Sequence, residues 1–225
     1  MHKRLNDHMN NIILDHTRKI CIIGAGGLGK EVFCCIREQN GWQNHAEIKF
    51  LEENSFYKKR KVLGVDVLPL SETEIKDSLV VIAIGEAQPR ERIAALLPHD
   101  TEFAIVVGRG VSLTPYTKLG RGTIVLGQSF LSCDVEIGNH SIINPGTTIS
   151  HDCKIGDFFT ASPGVNVSGN CNLGKHVFLG TNSCIRNAIR ICDNVIIGMG
   201  AVVTKDITIG GMYIGNPARW NTGDG

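Results

Sequence analysis

From Leu113 to Val203 every sixth residue is aliphatic, running through Leu119, Val125, Leu131, Ile137 and Ile143 without a break. Ala161 is the one member of the series that is not Leu, Ile or Val. The next position is often glycine, as at Gly120, Gly138, Gly156, Gly174, Gly180 and Gly198. Two places before the aliphatic the residue is small or β-branched, with Phe159 and Ile189 the large exceptions. No helix has a period of six, and an ordinary strand alternates every two residues. The period predicts a parallel β-helix of hexapeptides, three of which close a triangular coil of about 18 residues. The span 113–203 then makes about five coils, stacked at the interstrand spacing of about 4.8 Å. The aliphatic points into the prism and the small residue fits beside a corner. Cys153 and Cys171 fall one coil apart on the inward ladder.

Composition agrees with such a core. The chain has 225 residues, 42% hydrophobic but only 6% aromatic, with 26 glycines. That favours aliphatic packing and many tight turns. Lys plus Arg is 23 against 22 Asp plus Glu, so a net charge of +1 gives no pull toward nucleic acid or an anionic membrane. No apolar run approaches the ~20 residues that cross a bilayer. The first residues, "MHKRLNDHMNNIILDHTRK", carry charges and amides where a signal peptide has its apolar stretch. A cytoplasmic protein is the expectation. Eight cysteines without a CxxC pair read as small buried hydrophobes in a reducing compartment, not as disulfides or metal ligands.

The first half reads differently. "KICIIGAGGLGKEVFCCIREQN" predicts a strand over 19–23, a glycine turn and a helix with Val32, Phe33 and Ile36 on one face. Gly24, Gly26 and Gly29 have the G-x-G-x-x-G spacing, which lets backbone approach a phosphate at a helix N-terminus. A second strand, "AEIKFLEE", ends in Glu52 and Glu53, near where a ribose-binding acid belongs. Residues 78–85 and 101–107 read as further buried strands, with a helix of "RERIAALL" type between them. The expectation is a small Rossmann-like α/β domain over 1–107 and a parallel β-helix with a C-terminal tail over 108–225. A dinucleotide such as NAD is one reading of the glycines; the half-size fold suits a mononucleotide better. The basic run Lys58–Lys59–Arg60–Lys61 reads as a solvated loop.

Taken together, "IIGAGGLGKEV", then hexapeptide coils with "SHDCKIGD", then "YIGNPARW" resemble one bacterial family. It is the sugar acyltransferase family that includes sialic acid O-acetyltransferases and the N-acetyltransferases of UDP-4-amino-4,6-dideoxy sugars. The resemblance covers roughly residues 19–220 and implies a left-handed β-helix, although the usual crossover rule would favour right-handed connections. It implies a homotrimer, acetyl-CoA held between two β-helices as co-substrate without a metal, and a sugar nucleotide on the N-terminal domain. On this resemblance Gly24, Ala25, Gly26, Gly27, Leu28, Glu52, Glu53 and Gly85 bind the acceptor. His151 is the base with Asp152 beside it, and Thr160, Gly169, Thr181 and Met199 line acetyl-CoA. The acidic pair is Glu-Glu where the family usually has two aspartates. Leu28 and Thr160 stand where some members have histidine.

The chemistry suits these residues. Ile149 points inward, so His151, two places on, falls at or near a corner and faces out. An amine or hydroxyl attacking a thioester must lose a proton, and imidazole, with an ordinary pKa of about 6.5, takes it at neutral pH. A carboxylate holds the ring tautomer and stabilises imidazolium. Adjacent residues of a strand point apart, so a corner must bend the chain for Asp152 to reach the ring. His140 and His176, three places after their aliphatics, read as ordinary solvent-facing corner residues. The functional expectation is N-acetylation of a nucleotide-linked amino sugar for surface glycan biosynthesis. The alternatives are an O-acetyltransferase of sialic acid or another sugar, and a non-enzymatic nucleotide-binding trimer. A three-histidine zinc site is disfavoured, because His140 and His176 are two coils apart and His151 is on another face.

Overall fold

The computed structural model describes residues 18–39 and 47–221, and the chain divides into two compact units, Met1–Arg109 and Gly110–Gly225. The N-terminal residues before 18 lie outside the described part.

In the first unit β1 (Lys19–Ile23) leads through the glycine turn into helix α1 (Gly27–Gln39) and on to β2 (Ile48–Glu52). The short hairpin β3 (Lys61–Val62) and β4 (Val65–Pro69) follows, then α2 (Glu72–Ile75) and β5 (Ser78–Ile82). Helix α3 (Ala87–Leu96) connects β5 to β6 (Glu102–Phe103). Strand order is β3-β4-β2-β1-β5-β6, parallel except for the β3–β4 hairpin. β1 and β5 are buried apolar runs, as the central strands of a parallel sheet must be. Val32, Phe33 and Ile36 fix α1 to it through one buried stripe. The run 101–107 is not one strand: it breaks after Phe103, and Val106–Val107 does not pair with β5.

The second unit is the left-handed hexapeptide β-helix. Its coil-to-coil pairs between 118 and 203 are parallel and 18 residues apart, as in Phe130↔Thr148, Thr148↔Asn166 and Asn166↔Cys184. One face stacks Phe130–Leu131, Thr148–Ile149, Asn166–Val167, Cys184–Ile185 and Val202–Val203. A second stacks five strands from Lys118–Leu119 to Arg190–Ile191, with Lys118, Glu136 and Lys154 pointing outward. The third includes Ile142–Ile143, Thr160–Ala161 and Phe178–Leu179 and is extended by Gly211–Ile214, which Arg219–Trp220 then pairs antiparallel.

Corners recur at the third place after each aliphatic. Fourteen successive ones, from Gly122 to Gly200, have positive φ, and only four of them are glycine. The left-handed conformation is costly for most side chains and is best tolerated by Gly, Asn and Asp, which explains the choice at most of these sites. Phe158 is the bulky exception, at φ 56°. Its ring stacks on His140 at 5.3 Å and lies 5.6 Å from His176, one coil to either side. His140 is therefore not the solvent-facing residue expected: it is 3% exposed, packed in a column with Phe158. The recurrent glycine after the aliphatic has a different cause. A Cβ at Gly156 would lie 2.6 Å from the Gly174 carbonyl carbon of the next coil.

The prism interior holds two of the three exceptions to the repeat, Phe159 and Ala161, in one coil. Phe159 and Ala161 are both fully buried in the same core. A large side chain at the small position accompanies a small one at the large position, which conserves volume in a densely packed core. Ala161→Leu alone is expected to destabilise by about 1–3 kcal/mol through overpacking. Adding Phe159→Val should recover much of that loss. Urea melts of the two single variants and the double check this; additive losses would refute the compensation.

Candidate active site

His151 and Asp152 are the two turn residues at the corner between the first face, at Thr148–Ile149, and the second, at Lys154–Ile155. Asp152 has φ 59°, the left-handed corner conformation. That bend lets neighbouring side chains meet: His151 Nδ1 lies 2.7 Å from Asp152 Oδ2. The carboxylate accepts from Nδ1–H, so the neutral ring carries its free lone pair on Nε2. Both side chains are 60% exposed. The backbone beneath them is held on both sides. Asp152 N–H donates to Cys133 O at 3.2 Å, and His151 O accepts from Asn170 N–H at 2.8 Å.

Gly169 lies one coil further along the same column, and the ring lies against it. A Cβ there would sit 2.7 Å from the imidazole Cε1 and Nε2. The glycine thus makes room for the ring. Cys153, two residues on, is fully buried in the prism, with its thiol 3.3 Å from Ser168 O. Its hydrogen bond to Cys171 and its burial push its pKa up, the opposite of what a nucleophilic thiolate requires.

The other residues of the β-helix site stand elsewhere in the chain. Thr181 and Met199 are turn residues one coil apart at the corner between the third face and the first, and Met199 is 81% exposed. Thr160 is buried on the third face. One chain therefore brings His151, Asp152 and Gly169 together, and places Thr181 and Met199 at a different corner.

In the N-terminal unit the chain runs from β1 to β2 and β4 on one side, then returns to β5 on the other. The carboxyl ends of β1 and β5 form the switch point where open α/β sheets bind ligands. Gly24, Ala25, Gly26, Gly27 and Gly85 are brought to it. Gly24 needs its glycine twice, since φ is 107° and a Cβ would meet Ala83 O at 2.6 Å. Gly29 lets the helix close on Gly24 O. By contrast, a Cβ at Gly26, Gly27 or Gly85 would meet nothing within 4 Å, so space there is left for something outside the chain. Ala25 is buried and can offer only backbone; Leu28 is partly buried in the first turn of α1.

Glu52 and Glu53 do end β2, but neither carboxylate stands alone. Arg60 holds Glu52 through two 2.7 Å hydrogen bonds, and Arg92 holds Glu53 in the same two-pronged way. The Arg92 hydrogen bond keeps the Glu53 carboxyl below the usual carboxylate range. Both acids are thus partnered carboxylates, and Arg60, expected in a solvated loop, is tied to Glu52. Arg90, in α3, was missed by sequence reasoning. It is 0% exposed and donates to Ile84 O at 2.6 Å and Gly85 O at 2.9 Å. Among the described residues no three His, Cys, Asp or Glu side chains gather as a metal site, and no helix is long and apolar enough to cross a membrane.

Residues 19–97 match the model of the PglD N-terminal domain, and residues 170–205 match the hexapeptide repeat of succinyl-transferase. Among solved structures the chain is similar to the acetyltransferase domain of PglB from Neisseria gonorrhoeae FA1090. The identity is 28% with a TM-score of 0.80, over 91% of this chain and 100% of that one, and that domain is also solved in complex with acetyl coenzyme A. PerB from Caulobacter crescentus, in complex with CoA and GDP-perosamine, is 26% identical with a TM-score of 0.79, over 89% of this chain and 96% of that one. WeeI from Acinetobacter baumannii AYE is 29% identical with a TM-score of 0.79, over 89% and 98%. The fold and these likenesses define an acyltransferase of the left-handed hexapeptide β-helix class. The chain is thus similar to bacterial sugar acetyltransferases, and its first unit matches the PglD N-terminal domain.

A methyl group at position 169 should displace the His151 ring without disturbing the fold, because the ring is exposed and free to move. Gly169→Ala is expected to lower kcat by about 10–100-fold, the scale of a misplacement of about 1 Å, with an unchanged melting curve. Full activity in that variant would show that the ring position seen here is not the working one.

Proposed function

We propose that this enzyme is an acetyl-CoA-dependent N-acetyltransferase of a nucleotide-linked amino sugar, of the UDP-4-amino-4,6-dideoxy type, serving surface glycan synthesis in the cytoplasm. The observation that carries the catalytic part is the 2.7 Å His151–Asp152 pair, exposed on a corner with Nε2 left as the acceptor nitrogen. The amine nitrogen of the sugar bonds to the thioester carbonyl carbon, and His151 Nε2 takes the proton it loses. Asp152 stabilises the imidazolium. The carbon–sulfur bond then breaks, and the proton returns from Nε2 to the departing CoA sulfur. No acyl-enzyme is needed, in keeping with the buried Cys153 thiol.

The acceptor reading rests on the N-terminal unit. The open space at Gly26, Gly27 and Gly85 beside the first turns of α1 and α3 suits a diphosphate. Free sialic acid has none to place there. PerB's complex with GDP-perosamine and the acetyl coenzyme A bound by the PglB domain support the same pair of substrates. The separation of the Thr181–Met199 corner from the His151–Gly169 corner supports a homotrimer. If both corners line acetyl-CoA, a second copy must supply one of them. Sedimentation of a stable monomer at micromolar concentration would contradict this.

Thiol release from acetyl-CoA tests the assignment with a UDP-4-amino-4,6-dideoxy sugar, a GDP-linked amino sugar and sialic acid. Turnover is expected with the UDP-amino sugar. It should fall by about 10²–10⁴-fold in His151→Ala, and the acceptor KM should rise sharply in Gly26→Asp, which places a negative charge in the glycine turn. Turnover only with sialic acid, indifferent to Gly26→Asp, would overturn the assignment.

A further inference from the structure

Two thiols that the proposed chemistry leaves unused stack inside the prism beneath the His151 corner. Cys153 and Cys171 hold the same place in adjacent coils, and the residues after them pair in register, Lys154↔Asn172. The two are 0% and 1% exposed. Each Sγ donates to the main-chain carbonyl 15 residues on, Cys153 to Ser168 O at 3.3 Å and Cys171 to Arg186 O at 3.2 Å. Hydroxyls elsewhere in the repeat do the same: Thr117 donates to Ser132 O and Ser129 to Asn144 O, both at 3.1 Å. The cysteines differ in that the neighbour in the column is another thiol, within hydrogen-bonding reach. The hydrogen bond from Cys153 draws the Cys171 pKa down to about 7, while Cys153 is pushed up. Cys171 is thus the first of the two to become a thiolate, the form that reacts with oxidants.

We propose that Cys153 and Cys171 form a redox-sensitive pair: hydrogen peroxide joins them in a reversible disulfide that shifts the His151 corner and lowers activity. Strand spacing sets their Cα atoms about 4.8 Å apart, inside the roughly 4.4–6.8 Å that a disulfide spans. Their Cβ atoms must close by roughly 1 Å to reach the usual separation of about 3.8 Å. A bond made at that cost is strained, and strained disulfides are readily reduced. Its formation also removes both thiol hydrogen bonds. The carbonyls released, Ser168 O and Arg186 O, stand immediately before Gly169 and Asn187. Gly169 is the residue against which the His151 ring lies, and His151 is two residues before Cys153, so a pull between these coils reaches both sides of that contact. In the first step Cys171 thiolate attacks a peroxide oxygen and the O–O bond breaks. Hydroxide departs and takes up the proton that Cys171 had released, leaving a sulfenic acid. Cys153 sulfur then attacks Cys171 sulfur, the S–O bond breaks, and the hydroxide leaves as water with the Cys153 proton. Two thiols and one peroxide thus become a disulfide and two waters. Both thiols are enclosed, so an oxidant scarcely larger than water is the one able to reach them when the coils part.

The test treats the purified full chain with hydrogen peroxide, alkylates the remaining thiols after unfolding, and reads the peptides by mass spectrometry. Acetyl transfer is measured on the same samples before and after dithiothreitol. A linked pair of peptides carrying Cys153 and Cys171 is expected. Acetyl transfer should fall by about 10–100-fold, the scale of a displacement of about 1 Å, and dithiothreitol should restore it. Cys153→Ser and Cys171→Ser are expected to fold and to work as the wild type does, since hydroxyls make the same bond to the next coil elsewhere in the repeat. Both should keep their activity through the peroxide treatment. Folded, peroxide-treated protein without the linked peptides overturns the proposal, and so does linked protein of undiminished activity. An equal loss in the serine variants assigns the effect to another group, such as the exposed Met199, and overturns it as well. The cross-link is read by mass, so it is decided independently of which acceptor the enzyme takes.

Discussion

A hexapeptide coil must change direction three times while stacking on its neighbours at one strand spacing, and it does so by passing through a left-handed backbone conformation at each corner. From Gly122 to Gly200 this happens every six residues without a gap. Each corner residue is then constrained twice. Its own φ must be tolerable, and whatever side chain it carries must stack on the corner residues of adjacent coils. Asn170, Asn182 and Asn194 meet the first demand cheaply. Phe158 meets it at a cost and is held between two histidine rings. The backbone hydrogen bonds between coils leave little freedom to relax, which is why Gly156 cannot gain even a methyl without pressing on the backbone of the next coil.

The same constraint shapes the corner at His151 and Asp152. In a flat strand His151 and Asp152 would point to opposite faces. At φ 59° Asp152 swings round to the ring of the residue before it. The aspartate side chain thus meets two demands: it is among the better residues for the turn, and it hydrogen-bonds the His151 ring. Placing the pair on a turn stitched to coils on both sides anchors its backbone as firmly as a sheet while leaving both side chains exposed. The glycine at 169 completes the arrangement by subtraction.

The repeat, the domain order and the histidine corner were legible because each is a property of spacing. A period of six survives any choice of aliphatic, and the exception at Ala161 has its counterpart at Phe159 in the same coil. What was not legible depends on contacts between residues far apart in sequence. Glu53 and Arg92 are 39 positions apart, and nothing in either segment signals their ion pair. Arg60 sits in a basic run that looks like any solvated loop, yet it holds Glu52. Arg90 lies in a helix whose sequence is polar enough to suggest that it faces water. The one available signal was its place on the face of α3 that also buries Ile93. His140 looked like a surface corner because it stands three places after its aliphatic residue; the Phe158 ring 18 positions on stacks over it and helps bury it.

The central claim is that the corner geometry fixes the tautomer of His151, with the proton on Nδ1 toward Asp152 and a bare Nε2 toward the substrate. Nitrogen-15 spectra of histidine-labelled protein, with His151 assigned by comparison with His151→Ala, report which ring nitrogen carries the proton in the neutral form. The account predicts the Nδ1–H tautomer for the wild-type enzyme and its loss in Asp152→Ala. A wild-type His151 found in the Nε2–H tautomer would contradict it, because that ring presents a donor where the reaction needs an acceptor.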